Sequence, residues 1–195
     1  MAVLDGRGAP RETRLSGPFG AIQPPPRALP YPHEEAPLVT VTKAVSLHQP
    51  WATMIAIGRK TFETRSWPTR HRGPLAIHAA RRLEGENIDR ILGGEAFDLL
   101  GRAYQHLLLD ELTSRRYPLG AIVAVANVVD CIRVGETPPA DPGTIEYCLG
   151  DYTAGRYAWR LEDVQPLKTP VACRGAQGLW DVPAQTRLDI AGAIT

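Results

Sequence analysis

The segment Gly120–Val134, "GAIVAVANVVDCIRV", constrains the fold more than any other part of the sequence. It is almost entirely apolar and rich in β-branched residues, which predicts a central strand of a sheet. Shorter strands are predicted at Thr42–Leu47, Thr61–Trp67, Pro74–Ala80, Arg156–Glu162, Val164–Lys168 and Gly178–Val182. Many short strands with few helices predict an α+β protein, a small mixed β-barrel whose openings are covered by helices.

Two helical regions are predicted between these strands. The first lies between Pro50, which suits the first position of a helix, and Gly58, which suits the left-handed residue after a helix end. The second is an insert at 84–118, where apolar residues recur at helical spacing from Ile88 to Leu112. We interpret this insert as packing rather than as a site.

The two ends of the chain differ from the middle. Eight of the 18 prolines fall in residues 1–40, with few large apolar residues beside them. Such a stretch cannot bury enough surface to offset its ordering entropy, so we predict a disordered proline-rich tail, which could bind a protein partner as a polyproline segment. The domain is expected at 41–183, followed by an expendable C-terminal tail at 184–195.

Composition excludes several classes of protein. The formal net charge of +1 over 195 residues argues against a wholly cationic nucleic-acid binder. No apolar run approaches the ~20 residues of a membrane span, and the N-terminus lacks the apolar core of a signal peptide. The three cysteines are far apart, without metal-binding spacing, which fits a reduced, cytoplasmic compartment. We therefore expect no membrane, no metal and no cofactor.

Positive charge is nevertheless concentrated in one segment of the sequence. From Arg59 to Arg82 the sequence holds seven Lys and Arg residues against the single acid Glu63. Aromatic and histidine residues are interleaved with them, a pattern that favours nucleic-acid binding over a plain solvated surface.

The segment "GRKTFETR" has the pattern Gly58-x-Lys60-x-x-Glu63-x-Arg65. Because side chains alternate along a strand, Glu63, Arg65 and Trp67 should share one face, with Lys60 at the entrance of the strand. A desolvated lysine can act as a base or polarise a carbonyl, and Arg65 could bind phosphate bidentately. A structural ion pair is the alternative, which the spacing alone slightly favours.

Further candidate site residues lie in the preceding segment "SLHQPW" and in the following segment "TRHRG". His48 could be an acid or base, or a satisfied histidine at a strand end. Gln49 could cap the helix or present its amide outward, and Trp51 could stack on a base or pack. Arg70 and Arg72 could clamp phosphates or belong to a solvated turn.

Taken in order, "SLHQPWA", the Gly58-to-Arg65 pattern, "HRGPLAIHA", "YAWRLEDVQPL" and "GAQGLW" resemble the ASCH domain (activating signal cointegrator homology). The resemblance covers about residues 43–182 and is weakest at 84–118 and 135–150. It implies a PUA-like barrel with a cleft lined by this pattern, in a family whose members bind RNA or modified nucleotides or act as coactivator modules. One branch of the family hydrolyses N4-acetylcytidine with a Lys and a Thr, and another cleaves RNA. Lys60 matches that lysine, whereas Glu63 occupies the position of the threonine.

These observations lead to three functional hypotheses. The first is a module that binds RNA or a nucleotide-like molecule in a basic, aromatic-lined cleft; its predicted ligand-binding residues are His48, Gln49, Trp51, Arg65, Trp67, Arg70 and Arg72. The second is a hydrolase, either an amidohydrolase on a modified pyrimidine nucleoside or a ribonuclease, with Lys60 and Glu63 as catalytic residues. The third is a regulatory module that binds a protein partner through the proline-rich tail.

Overall fold

The computed structural model describes residues 40–83, 98 and 117–194. The strands in these residues are β1 (Lys43–Leu47), β2 (Phe62–Arg65), β3 (Gly73–Ala79), β4 (Ala121–Arg133), β5 (Tyr157–Ala172) and β6 (Leu179–Asp181). The helices are α1 (Trp51–Ala56), α2 (Ile145–Cys148) and α3 (Ala184–Ile194). The predicted tail at 1–40 and helical insert at 84–118 lie almost wholly outside the described residues.

The described strands form one mixed sheet in the order β2-β5-β4-β3-β1-β6. Strands β1 and β3 are parallel and the other pairs are antiparallel. The apolar β4 pairs with β3 on one side and β5 on the other, and its first eight residues are almost all buried. The predictions of a central strand and of an α+β fold built on a mixed sheet are therefore confirmed.

Strand β5 differs from the prediction of two strands at Arg156–Glu162 and Val164–Lys168. It runs without interruption over sixteen residues, although Asp163 at the expected break has a positive φ of 49°. There the register against β4 shifts, because β5 contains an extra residue. The polar break in the sequence is thus a β-bulge, and the Asp163 carboxylate accepts a hydrogen bond from Asn127 of β4.

Alternating residues of the sheet enter two apolar clusters, one on each face. Val45, Leu75 and Ile77 pack on the face covered by Ile55 of α1. Their neighbours Ala44 and Ala76 pack with Leu167, Trp180 and Val182 on the face covered by Ile190 of α3. Residues 184–194, expected to be an expendable tail, are therefore a helix with Thr186 and Ile190 buried.

The sheet curls into a half-barrel, and the Arg65 side chain connects the edge strand β2 to β1. Strands β1 and β2 are separated by three other strands, yet the Arg65 guanidinium of β2 donates a 2.8 Å hydrogen bond to the Ser46 carbonyl of β1. The two segments "SLHQPW" and "KTFETR" consequently lie on opposite sides of one seam.

Short connections complete the described fold. Helix α1 begins one residue after Pro50, and Gly58 has the left-handed φ of 72° that was predicted. The stretch between β4 and β5 contains the single-turn helix α2. None of the helices in the described ranges is long and apolar enough to cross a membrane.

Candidate functional site

Glu63 and Arg65 of β2 lie on one face of the strand, as alternation predicts. The Arg65 Nε is 2.9 Å from a Glu63 carboxylate oxygen, and the Glu63 side chain is almost completely buried. Trp67 follows on the same side and packs edge-on against Trp159, the cross-strand neighbour of Glu63, at a centroid distance of 4.7 Å. Arg65 is thus held in one position by a carboxylate and a backbone carbonyl.

Burial controls the acidity of the Glu63 carboxyl. Desolvation raises its pKa above the ordinary value, since an ionised carboxylate is costly away from water. The cations Lys60, Arg65 and Arg156 oppose this increase, and the Glu146 carboxylate adds to it. Of these effects burial is the largest, so the pKa of Glu63 is raised.

Lys60 lies at the entrance to β2 and is buried, with an exposed fraction of 1%. Its Nζ donates a 3.1 Å hydrogen bond to the carbonyl of Leu149, just after α2. The ammonium therefore links the start of β2 to a segment 89 residues further along the chain.

A cavity of about 270 Å³ contains this charged group. Its walls include His48, which directly follows β1, and Trp51, the first residue of α1. Lys60, Glu63 and Arg65 line it from β2 and its approach. The fold therefore brings together five of the nine residues that sequence reasoning selected. Arg156 and Asp151 complete this cavity from the opposite side.

A larger cleft of about 1300 Å³ adjoins the small cavity and shares Ser46, His48 and Arg65 with it. The described lining includes Trp67, His78, Arg81 and Arg174 and contains no Asp or Glu. Arg65 pairs with Glu63, which lies outside the lining, whereas Arg81 and Arg174 are exposed, so the described lining is basic.

Three predicted ligand-binding residues lie elsewhere. Gln49 is fully buried: its Oε1 accepts from the backbone N–H of Thr53, capping α1, and its Nε2 donates to the carbonyl of Pro118. Arg70 and Arg72 are exposed on the connection between β2 and β3, and Arg72 pairs with Asp130 at 3.3 Å. None of the three is part of the lining of either cavity.

Sequence reasoning missed Glu146 and Asp151, two acidic residues that contact β2 and the residue before it. Glu146 accepts hydrogen bonds from the backbone and hydroxyl of Thr61, from the backbone of Phe62 and from the Tyr152 hydroxyl. Asp151 donates its backbone N–H to the Thr64 hydroxyl and pairs with Arg156 at 3.2 Å. The contacts with Thr61, Phe62 and Thr64 span more than 80 residues of sequence, so no local pattern could have indicated them.

His78, Arg81 and Arg174 were also missed as cleft residues. His78 and Arg81 both lie within "LAIHAARR", which has the pattern of an ordinary strand and its exit, and Arg174 lies in the loop after β5. The basic patch from Arg59 to Arg82 was the only signal that could have indicated Arg81. In the described part of the chain, no group of three His, Cys, Asp or Glu side chains is arranged to hold a metal ion.

Comparison with known proteins identifies the family of the chain. The family model of the ASCH domain matches residues 45–167, a range that begins in β1 and ends within β5. The chain belongs to the ASCH domain family. The ASCH domain has a PUA-like fold, which is associated with RNA binding. The matched range includes the whole of the Gly58-to-Arg65 pattern, which contributes Lys60, Glu63 and Arg65 to the small cavity.

Known proteins are similar to this chain over part of its length. The chain is similar to activating signal cointegrator 1 from Homo sapiens and from Mus musculus, at 32% identity over 91 residues in each case. The match covers 45% of this chain and only 14% of each relative. Crystal structures of the ASCH protein from Zymomonas mobilis align at 16% identity and a TM-score of 0.45, covering 78% of this chain and 95% of the wild-type one.

Proposed function

We propose that this ASCH domain binds RNA or a nucleotide-like ligand in the large cleft. The observation that carries the proposal is the charge of the described lining, which holds the exposed Arg81 and Arg174 and no Asp or Glu. Phosphate groups are the anions that arginine binds bidentately. Trp67 in the same lining offers an aromatic surface, and stacking of a base on such a ring contributes ~1–3 kcal/mol.

The three arginines differ in how they can serve a ligand. Arg65 already contacts Glu63 and the Ser46 carbonyl, so it is a fixed cation at the junction with the small cavity. Arg81 and Arg174 are exposed and can reorient toward a backbone phosphate. We therefore assign phosphate binding chiefly to Arg81 and Arg174.

Fluorescence anisotropy with a single-stranded RNA oligonucleotide, measured over a series of salt concentrations, tests the proposal. Affinity should fall as salt rises, because each phosphate contact releases condensed counterions. Arg174→Gln should weaken binding and reduce the slope of log K against log salt by about 0.7, the contribution of one contact to a single strand.

Arg160→Gln is the matched control. Arg160 is an exposed arginine of β5 that pairs with Glu162 and is not part of the cleft lining. Its loss should leave both affinity and slope unchanged. Absence of RNA binding at low salt, or equal effects of the two substitutions, would contradict the proposal.

A hydrolase is the second candidate, favoured by the presence of Lys60 and Glu63 in the small cavity. In such a reaction water would add to the acyl carbon of an N-acylated pyrimidine, with Lys60 polarising its oxygen. The carbon–nitrogen bond would then break, and Glu63, whose pKa is raised, would transfer its proton to the leaving nitrogen. The proton released by the added water would return to the Glu63 carboxylate, so that the products are the free carboxylic acid and the amine.

Incubation with N4-acetylcytidine and chromatographic detection of cytidine and acetate tests this reaction. Activity that disappears in Lys60→Ala and survives in Lys43→Ala, an exposed lysine of β1 paired with Asp181, would support it. Activity that survives Lys60→Ala would exclude this mechanism. Gel analysis of RNA length in the binding experiment would detect ribonuclease activity in the same way.

A further inference from the structure

Residues 144–151 form a short segment, containing α2, that is fastened to β2 by polar contacts. The Glu146 carboxylate accepts a hydrogen bond from the backbone N–H of Phe62 at 3.2 Å. Five residues further on, the backbone N–H of Asp151 donates to the Thr64 hydroxyl at 3.0 Å. The segment is therefore attached at two points along the same strand.

This segment also covers the charged group in the small cavity. Leu149 and Asp151 belong to the cavity wall, and the Leu149 carbonyl accepts the 3.1 Å hydrogen bond from Lys60 Nζ. Lys60 is 1% exposed and Glu63 is 6% exposed. With the segment in this position, the Lys60 ammonium is bound to a backbone carbonyl and shielded from molecules in solution.

Little apolar burial holds the segment in place. Of residues 144–151 only Leu149 is buried, and neither apolar cluster of the described residues includes any part of the segment. It is flanked by Gly143, with a φ of 81°, and Gly155, with a φ of 90°. Segments with few buried apolar contacts open at a low free energy, and glycine tolerates the changes in backbone dihedrals that opening requires.

We propose that residues 144–151 are a lid over the small cavity, which Glu146 locks onto β2 and which must open before a ligand can contact Lys60. Opening breaks the hydrogen bond between Lys60 and Leu149, and so releases the amine that the second candidate function requires. The lid is not part of the described lining of the large cleft, so its test and the RNA-binding test can fail independently.

Lysine acetylation measures this opening directly, because the chain contains only three lysines. Lys43 is partly exposed and Lys168 is exposed, whereas Lys60 is buried. The acetylating reagent sulfo-N-hydroxysuccinimide acetate reacts with accessible amines, and mass spectrometry of the digested protein gives the rate at each lysine. In the wild type, Lys60 should react more slowly than the other two.

Glu146→Ala removes the lock. We expect it to accelerate acetylation of Lys60 about tenfold or more, the effect of losing one hydrogen bond to a charged group, and to leave the rates at Lys43 and Lys168 unchanged. Glu136→Ala is the matched control, because Glu136 is an exposed carboxylate of the same connection between β4 and β5 and precedes the lid. An unchanged Lys60 rate in Glu146→Ala, or equal effects of the two substitutions, would overturn the proposal.

Urea separates opening of the lid from unfolding of the domain, and this test needs no variant. Global unfolding responds steeply to urea because it exposes a large surface, whereas opening of a short lid exposes little. Below the unfolding transition, the Lys60 rate should therefore vary little with urea. The amide hydrogens of Thr61 and Phe62, which bond to Glu146, should exchange with the same weak dependence. If Lys60 and these amides instead followed the steep dependence of the amides in the middle of β4, the lid would not open by itself and the proposal would be overturned.

Discussion

Lys60 is buried next to a carboxylate, and its amine supports the fold directly through the Leu149 carbonyl. We expect Lys60→Met, which keeps the length of the side chain, to lower the free energy of unfolding by about 1–3 kcal/mol, because a buried carbonyl loses its donor. Denaturation in urea, followed by circular dichroism, measures this change.

Lys43→Met is the control for that substitution. The Lys43 ammonium pairs with Asp181 at 2.8 Å, but the side chains are 34% and 79% exposed. Exposed ion pairs contribute little, so this change should cost less than about 1 kcal/mol. Equal effects of the two substitutions would show that the contact between Lys60 and Leu149 is unimportant for stability.

The Glu63 carboxyl makes stability depend on pH. Because its pKa in the folded protein is raised above the ordinary value of 4.5, the folded state keeps the proton over a range in which the unfolded state has lost it. Glu63 therefore contributes stability below pH 4.5, and this contribution is lost as pH rises through the folded-state pKa, at no more than about 1.4 kcal/mol per pH unit.

Glu63→Gln removes this titration. The difference in free energy of unfolding between wild type and Glu63→Gln should decrease as pH rises above 4.5, and stay constant below it. Denaturation in urea at a series of pH values and constant ionic strength measures the difference. A difference that does not vary with pH would contradict the raised pKa.

At the scale of secondary-structure elements, α3 contributes to stability through its packing against the sheet. Ile190 is 1% exposed and packs in the cluster that contains Leu167 and Trp180. We expect Ile190→Ala to lower the free energy of unfolding by about 2–5 kcal/mol, since it removes buried methyl groups and leaves a cavity. Thermal unfolding measures the loss.

Leu188→Ala is the matched control on the same helix, because Leu188 is 69% exposed. Its effect should stay within about 0.5 kcal/mol. If both substitutions had this small effect, residues 184–194 would be the expendable tail that the sequence predicts.

Strand predictions succeeded where the signal is local. The apolar run of β4 identifies a strand buried on both faces, and Gly58 identifies a helix end through its need for a positive φ. The long β5 was predicted as two strands because Asp163 resembles a turn residue. Pairing along its whole length with β4 accommodates that residue as a bulge, which is a property of two strands together.

At the scale of the whole molecule, the candidate site is produced by the curl of the sheet. The Arg65 guanidinium reaches the Ser46 carbonyl across a seam between strands that are distant in the sheet order. Lys60 contacts Leu149 across 89 positions, and His78 contacts Cys173 across 95. Each of these contacts depends on the fold, because no periodicity within a single segment encodes it.

The sequence by itself determined the central strand, the place of α1 between Pro50 and Gly58, the family and the shared face of Glu63 and Arg65, since all of these follow from local pattern and alternation. Only the tertiary structure decided that Gln49 caps α1 and binds Pro118, and that His78 joins the wall of the cleft. It also decided that Glu146 and Asp151 hold β2. The reason is physical: hydrogen-bond partners are chosen by proximity in space, and buried polar groups bind whatever donors and acceptors the folded chain places beside them.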